Sequence, residues 1–187
     1  MNKESHTRVC PAELSGSLDN SLRRFFQNPV KILSPYIEKG MTVLDLGCGP
    51  GFFSVEISRM VTSSGKVIAV DLQEDMLEKV RSKIKGTDSE KIIVLHKCEA
   101  DKVGVTEKVD FVLAFWMIHE VPDKQKLITE LKSIIKPAGI IFIIEPKFHV
   151  TKSEFEKMIK ILEKTGFEII GRPKVFISRA VLLSVST

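Results

Sequence analysis

The chain has 187 residues, 43% hydrophobic and 28% charged, with a formal net charge of +4, proportions that exclude wholesale disorder. Its length fits a single domain, residues 1–187, large enough to bury roughly two-thirds of its unfolded surface in one core. No apolar run approaches the roughly 20 residues of a membrane-spanning helix and no apolar signal region follows the polar amino terminus, so a cytoplasmic protein without membrane insertion is expected.

Residues 1–40 lack strand character, and Leu22, Phe25, Phe26, Val30, Ile32 and Leu33 supply the apolar contacts of one or two helices there. From Val43 onward, short β-rich runs alternate with helical patterns, which is the sequence form of a parallel sheet covered on both faces. Strands are expected at Thr42–Leu46, Lys66–Val70, Ile92–Leu95, Val109–Ala114 and Ile140–Glu145. Most of these runs are apolar on both faces, as buried parallel strands are.

Between the second and third strands, Met76, Leu77, Val80 and Ile84 share one helical face, and Gly86 ends the helix. Asp123 caps a second helix with Leu127, Ile128, Leu131, Ile134 and Ile135 inward, stopping at Lys136-Pro137-Ala138-Gly139. Thr151 and Glu154 form a capping box for a third, with Phe155, Met158, Ile159 and Leu162 inward and Gly166 as its stop. Two further strand-like runs, Phe167–Ile170 and Val175–Val185, are joined by Gly171-Arg172-Pro173-Lys174, a link short enough for an antiparallel hairpin.

The first strand ends in Asp45 and opens into Gly47, Gly49 and Gly51. These glycines strip β-carbons from a strand-to-helix turn, so a ligand can lie on bare backbone beside the positive end of a helix. A dinucleotide turn reads G-x-G-x-x-G, whereas here Phe52 stands where the third glycine would fall, which disfavours a nicotinamide or flavin reading. No Gly-Lys-Ser or Gly-Lys-Thr follows, which excludes a P-loop. Asp71, 20 residues beyond Gly51 at the end of the second strand, can accept from both hydroxyls of a ribose or, alternatively, cap the next helix.

The run Val43 to Gly51, followed by Val70-Asp71, resembles the cofactor signature of class I S-adenosylmethionine-dependent methyltransferases. The similarity extends through Val109-Asp110-Phe111-Val112 and Leu131 to Gly139, covers residues 41–185, and is of the small-molecule, ubiquinone/menaquinone-biosynthesis type. It implies a Rossmann-like, doubly wound α/β sheet of seven strands in the order 3-2-1-4-5-7-6, strand 7 antiparallel, helices on both faces, and S-adenosyl-L-methionine as cofactor with S-adenosyl-L-homocysteine as product. By the same resemblance, Gly47, Cys48, Gly49 and Gly51 pass beneath the methionine part, Asp45 fixes the turn and amino group, Asp71 holds the ribose and Leu72 flanks the adenine. Glu99-Ala100, after the third strand, match the adenine-binding position, Glu99 being otherwise a solvated loop carboxylate. Phe115, just after the fourth strand, completes the cofactor set.

In such a fold the ligand crevice lies at the carboxyl ends of the strands, near the switch between strands 1 and 4. The acceptor candidates are therefore Phe115 to Glu120 and Glu145 to His149. His119 leads as general base; its alternative is a histidine bonded to loop backbone. His149 ranks below it. The expected reaction is in-line methyl transfer to a small-molecule acceptor, with a catalytically inactive cofactor-binding module or partner protein as the alternative.

Residues 1–40 would form a lid over the residues 41–187 core, with Cys10-Pro11, Asp19-Asn20, Arg23-Arg24 and Tyr36 offering polar groups to an acceptor. Arg23 and Arg24 could meet an anionic substrate, their alternative being a soluble helix face. The basic cluster Lys79, Arg81, Lys83 and Lys85 has no aromatic stacking platform, so nucleic acid is not expected as a partner. Cys10, Cys48 and Cys98 lack the spacing of a disulfide framework or zinc site, and no metal is expected.

Overall fold

The computed structural model describes residues 26–186, so Cys10, Pro11, Asp19, Asn20, Leu22, Arg23, Arg24 and Phe25 lie outside the described residues. Seven strands form one sheet: β1 (Thr42–Leu46), β2 (Lys66–Asp71), β3 (Ile93–Lys97), β4 (Val109–Phe115), β5 (Ile135–Pro146), β6 (Phe167–Gly171) and β7 (Ser178–Val185). Their order is β3-β2-β1-β4-β5-β7-β6. Neighbours from β3 to β5 pair in parallel, while β7 runs antiparallel to both β5 and β6. The order and the reversed β7 agree with what the signature implied.

Strand side chains alternate between faces, and this period divides the core in two. On one face Leu44, Leu46, Ile68, Val70, Val112, Ile141 and Ile143 pack against helices α4 (Lys124–Ile134) and α5 (Lys152–Lys164). On the other, Val43, Val67, Ala69, Phe111, Leu113 and Phe142 meet α1 (Pro29–Leu33), α2 (Ser54–Val61) and α3 (Glu74–Ile84). Both faces being dry explains why the parallel strands read as continuous apolar runs.

The helix ends follow the expected caps. Asp123 accepts from Lys126 N at the start of α4, and the reciprocal Thr151–Glu154 box opens α5. Gly86 and Gly166 adopt φ of +72° and +90° beyond their helices, a region costly for side-chain-bearing residues. Met76, Leu77, Val80 and Ile84 are the buried face of α3.

Two strand boundaries differ from expectation by three residues or more. Helix α4 ends at Ile134, and Lys136 to Gly139 belong to β5, with Val109 opposite Ile135 and a register shift before Phe111. The bulge is held by Asp110, whose carboxylate accepts from Thr42 N at 2.8 Å and Lys136 Nζ at 2.8 Å. Gly139 is required for close approach and not as a helix stop, since a Cβ there would lie 2.6 Å from Ile135 Cδ1 and 3.0 Å from Asp110 O. At the other end, β7 begins at Ser178 and not at Val175. Residues before it turn toward β5, where Lys147 N donates to Ile177 O at 2.9 Å. No helix among the described residues is long and apolar enough to cross a membrane.

Candidate active site

At the carboxyl ends of β1, β2 and β4 lies a cleft of about 440 Å³, within the usual size of small-ligand sites. Its floor is the glycine turn. Gly47 N and Cys48 N both donate to Val70 O at 2.9 Å, and φ is +71° at Gly47 and +53° at Gly49. A Cβ on Gly47 would sit 2.8 Å from Met117 Cβ, so only glycine lets the segment after β4 cross the turn. A Cβ on Gly49 would meet nothing within 4 Å and would occupy open space where the turn borders the cleft. Bare backbone at Gly49 is what an extended ligand can rest on.

Gly51 differs from its neighbours. It does not line the cleft; a Cβ there would press on Val80 Cγ2 at 3.1 Å. Its place in the structure is the close packing of turn against α3. Asp45, buried under the turn, accepts from Ser54 Oγ at 2.5 Å and thereby ties the end of β1 to the first residue of α2.

Asp71 spans two loops. Oδ2 accepts from Gly49 N at 2.8 Å and Oδ1 from Gln73 N at 2.9 Å, so one carboxylate locks the glycine turn to the segment after β2. The N-cap of α3 is Gln73, and Asp71 is not a cap of that helix. Burial raises the Asp71 pKa above the ordinary carboxylate value, against the opposing pull of the backbone donors. A ligand offering hydroxyl donors to this carboxylate would relieve that cost.

Asp45, Gly47, Cys48, Gly49, Asp71, Leu72, Glu99, Ala100, Phe115 and His119 all line the cleft, which leaves Gly51 as the one residue of the expected cofactor and base set outside it; of the acceptor candidates, Ile118, Glu145 and Lys147 do not border it. Glu99 and Ala100 are exposed on a turn closed by a bridge between Glu99 and Lys102. Burial, then the charge of Asp71, push the Cys98 thiol up to about 11. Burial raises Cys48 well above the ordinary thiol value as well. Neither sulfur is a thiolate at neutral pH, and no group of residues among those described could hold a metal ion.

The second half of the cleft is aromatic. Phe53 packs on Phe115 with centroids 4.4 Å apart, and Trp116 meets Phe148 edge-on at 5.3 Å. Trp116 adopts φ +57°, secured by its amide to Ile144 O at 2.7 Å and its indole to Ser178 Oγ at 3.0 Å. His119 is bonded to a side chain and not to loop backbone: its Nδ1 lies 2.5 Å from Glu145 Oε2. His149 stacks on the His119 ring at 5.5 Å and 11°. Burial pulls the His119 pKa down, but the hydrogen bond and charge of Glu145, with Glu120, outweigh it and the net shift is upward.

Sequence reasoning missed Phe53 as a lining residue, and missed the pairing of Glu145 with His119. Adjacency of β4 and β5 supplies the missing signal. With Phe115 opposite Ile144, the residues just beyond each must meet.

A sheet that reverses direction of winding between β1 and β4, with a glycine turn and an acidic partner at that switch, defines a doubly wound α/β domain built for a nucleoside-bearing small ligand. The family profile described as "Methyltransferase domain" matches residues 37–172, and the chain belongs to that family. A solved structure, a SAM-dependent methyltransferase from Aquifex aeolicus, superposes with a TM-score of 0.85 at 29% identity, covering 95% of this chain and 100% of the other. Among curated proteins, the demethylmenaquinone methyltransferase of Staphylococcus aureus (strain MRSA252) is 27% identical, covering 73% of this chain and 55% of the relative. That of Lactobacillus johnsonii is 28% identical, over 83% and 66% respectively. The chain thus spans between about half and two-thirds of the length of these curated relatives.

Proposed function

We propose that the protein is an S-adenosylmethionine-dependent methyltransferase that methylates a small-molecule acceptor. The observation that carries this reading is the Gly47–Gly49 turn locked to the Asp71 carboxylate at the floor of the cleft, in a chain of the methyltransferase-domain family. The residues fit the cofactor. Gly49 offers bare backbone, Asp71 keeps lone pairs beyond its two backbone donors, and Leu72, Glu99 and Ala100 border the same space. When bound, S-adenosylmethionine supplies an electrophilic methyl on a sulfonium.

The chain's own work is alignment, exclusion of water and movement of one proton. Asp45 and Ser54 hold the turn, Asp71 fixes the ribose, and Phe53, Phe115 and Met117 dry the centre of the cleft. His119 receives the proton of an acceptor that must lose one, and the aromatic walls Trp116 and Phe148 suit a flat acceptor. The demethylmenaquinone methyltransferases among its relatives make a naphthohydroquinone the first acceptor to assay. Calorimetry with S-adenosylhomocysteine, followed by transfer of labelled methyl to naphthohydroquinones and simple phenols, tests the reading. Binding followed by transfer is expected, and no binding by the full chain would refute it. Binding without transfer to any acceptor would favour a catalytically inactive module.

A further inference from the structure

Glu145 is the penultimate residue of β5, and its side chain is 1% exposed. A carboxylate at that depth is expensive unless its oxygens are satisfied. Oε1 accepts from Ile118 N at 2.9 Å, and Oε2 faces His119 Nδ1 at 2.5 Å. One carboxylate therefore holds both the backbone and the ring of the short 3₁₀ turn Ile118–Glu120 that follows β4. An ionised carboxylate can only accept, so Nδ1 must carry the hydrogen of this bond. His119 Nε2 makes no hydrogen bond among the described residues, and the side chain lines the cleft.

We propose that Glu145 is the positioning residue of the site: it fixes His119 with its proton on Nδ1, leaving the Nε2 lone pair for the acceptor. The proposal rests on the reading of the cleft as a methyl-transfer site. The acceptor's proton passes to Nε2, and the imidazolium so formed keeps its Nδ1–H on the Glu145 carboxylate, which balances the new charge without moving. The stacked ring of His149 keeps the His119 plane from rotating out of line.

The other charged groups about His119 are few. Glu120 on the same turn raises its pKa, and Lys124 at the start of α4 lowers it. His149 stacks on it from the segment after β5. Arg179 of β7 stands across from Glu145 in the strand register, without an ion pair to it among the described residues, and its Nη1 is buried without a partner. Among the described residues, only Glu145 bonds the ring.

The test is nitrogen NMR of the full chain labelled with ¹⁵N-histidine, the His119 signal being assigned by its loss in His119→Gln. Above the titration of His119, the wild type should show Nδ1 protonated and Nε2 bare. In Glu145→Gln, the amide can donate to Nδ1, so the tautomer should reverse and the titration midpoint should fall by about one pH unit or more. A wild-type ring protonated on Nε2, or a midpoint unmoved by Glu145→Gln, would overturn the proposal, and the first of these does not depend on Glu145→Gln folding. Calorimetry with S-adenosylhomocysteine on the same variant should stay within about twofold of wild type, since Glu145 does not line the cleft. A wild type that fails to bind S-adenosylhomocysteine would refute the methyltransferase reading and leave the tautomer result standing on its own.

Discussion

Replacing Asp71 by asparagine separates what this residue does for the fold from what it does for a ligand. The carboxylate accepts from Gly49 N and Gln73 N. Asparagine keeps one of these bonds and turns its NH₂ toward the other donor, a loss of about 1.5 to 3 kcal/mol for a bond to a charged acceptor. Burial, which holds the Asp71 pKa above its ordinary value, works the other way, because the neutral amide no longer pays for burying a charge. The two effects offset, so the unliganded protein should lose no more than about 1 kcal/mol in urea unfolding. Ribose hydroxyls, in contrast, donate only to acceptors, and binding of S-adenosylhomocysteine should weaken by about 1 to 3 kcal/mol, or roughly 5- to 150-fold.

The same carboxylate sets a pH dependence. Its folded pKa is raised, so its contribution to stability is fully present below the unfolded value and is lost as pH rises through the raised one. Hydroxyl donors favour the ionised form, so wild-type affinity should increase with pH across that window, while Asp71→Asn should show no such rise. Calorimetry at several pH values reads both effects. Equal affinity of wild type and variant at neutral pH would refute the assignment of Asp71 to the ribose.

Gly47→Ala places a Cβ 2.8 Å from Met117 Cβ at a φ of +71°, and should lower stability by about 1 to 3 kcal/mol in a thermal or urea melt. Gly49→Ala meets no neighbour within 4 Å, so it should cost the fold only the roughly 1 to 2 kcal/mol of its left-handed φ while weakening S-adenosylhomocysteine binding more than Gly47→Ala does per unit of stability lost. His119 has a raised folded pKa, so its pairing with Glu145 contributes stability fully present below about 6.5 and lost as pH rises through the folded value. Urea midpoints of wild type should fall across that range and those of His119→Gln should not, while a base role requires kcat/KM to rise over the same interval. Leu131→Ala, emptying a fully buried position of α4, should cost about 2 to 5 kcal/mol without changing cofactor affinity.

Much of the fold was legible because local signals and tertiary packing agree. Thr42–Leu46 was placed to the residue, and the inward faces of α3 and α5 are those the 3.6-residue period selects. The start of β5 was not legible. Pro137 and Gly139 are strong local stop signals, yet the Asp110 bulge and the pairing of Val109 with Ile135 draw that segment into the sheet. Gly51 shows the same limit in the site, since its spacing is that of a ligand turn while its neighbour in space is Val80, 29 residues later. A motif fixes which atoms are missing from a backbone and does not say what fills the space.

The two halves of the cleft are built differently, and this bears on what each determines. The donor half is made of strand ends and backbone: Val70 O, Gly49 N and the Asp71 carboxylate are fixed by the parallel pairing of β1 with β2. Those constraints are the ones that leave a readable signature, because they demand glycine and an acid at set distances. The proposed acceptor half is made of two post-strand segments held by a few contacts from other strands, among them Trp116 in a left-handed conformation that costs about 1 to 2 kcal/mol. That cost is met by the Trp116 amide on Ile144 O and its indole on Ser178, both belonging to strands distant in sequence. Because Trp116 turns the chain there, Met117 crosses Gly47 and His119 comes within reach of Glu145. The residue that brings the glycine turn and His119 together is thus one strained tryptophan, and on the proposed reading specificity for the acceptor resides in the side chains that surround it and not in the sheet.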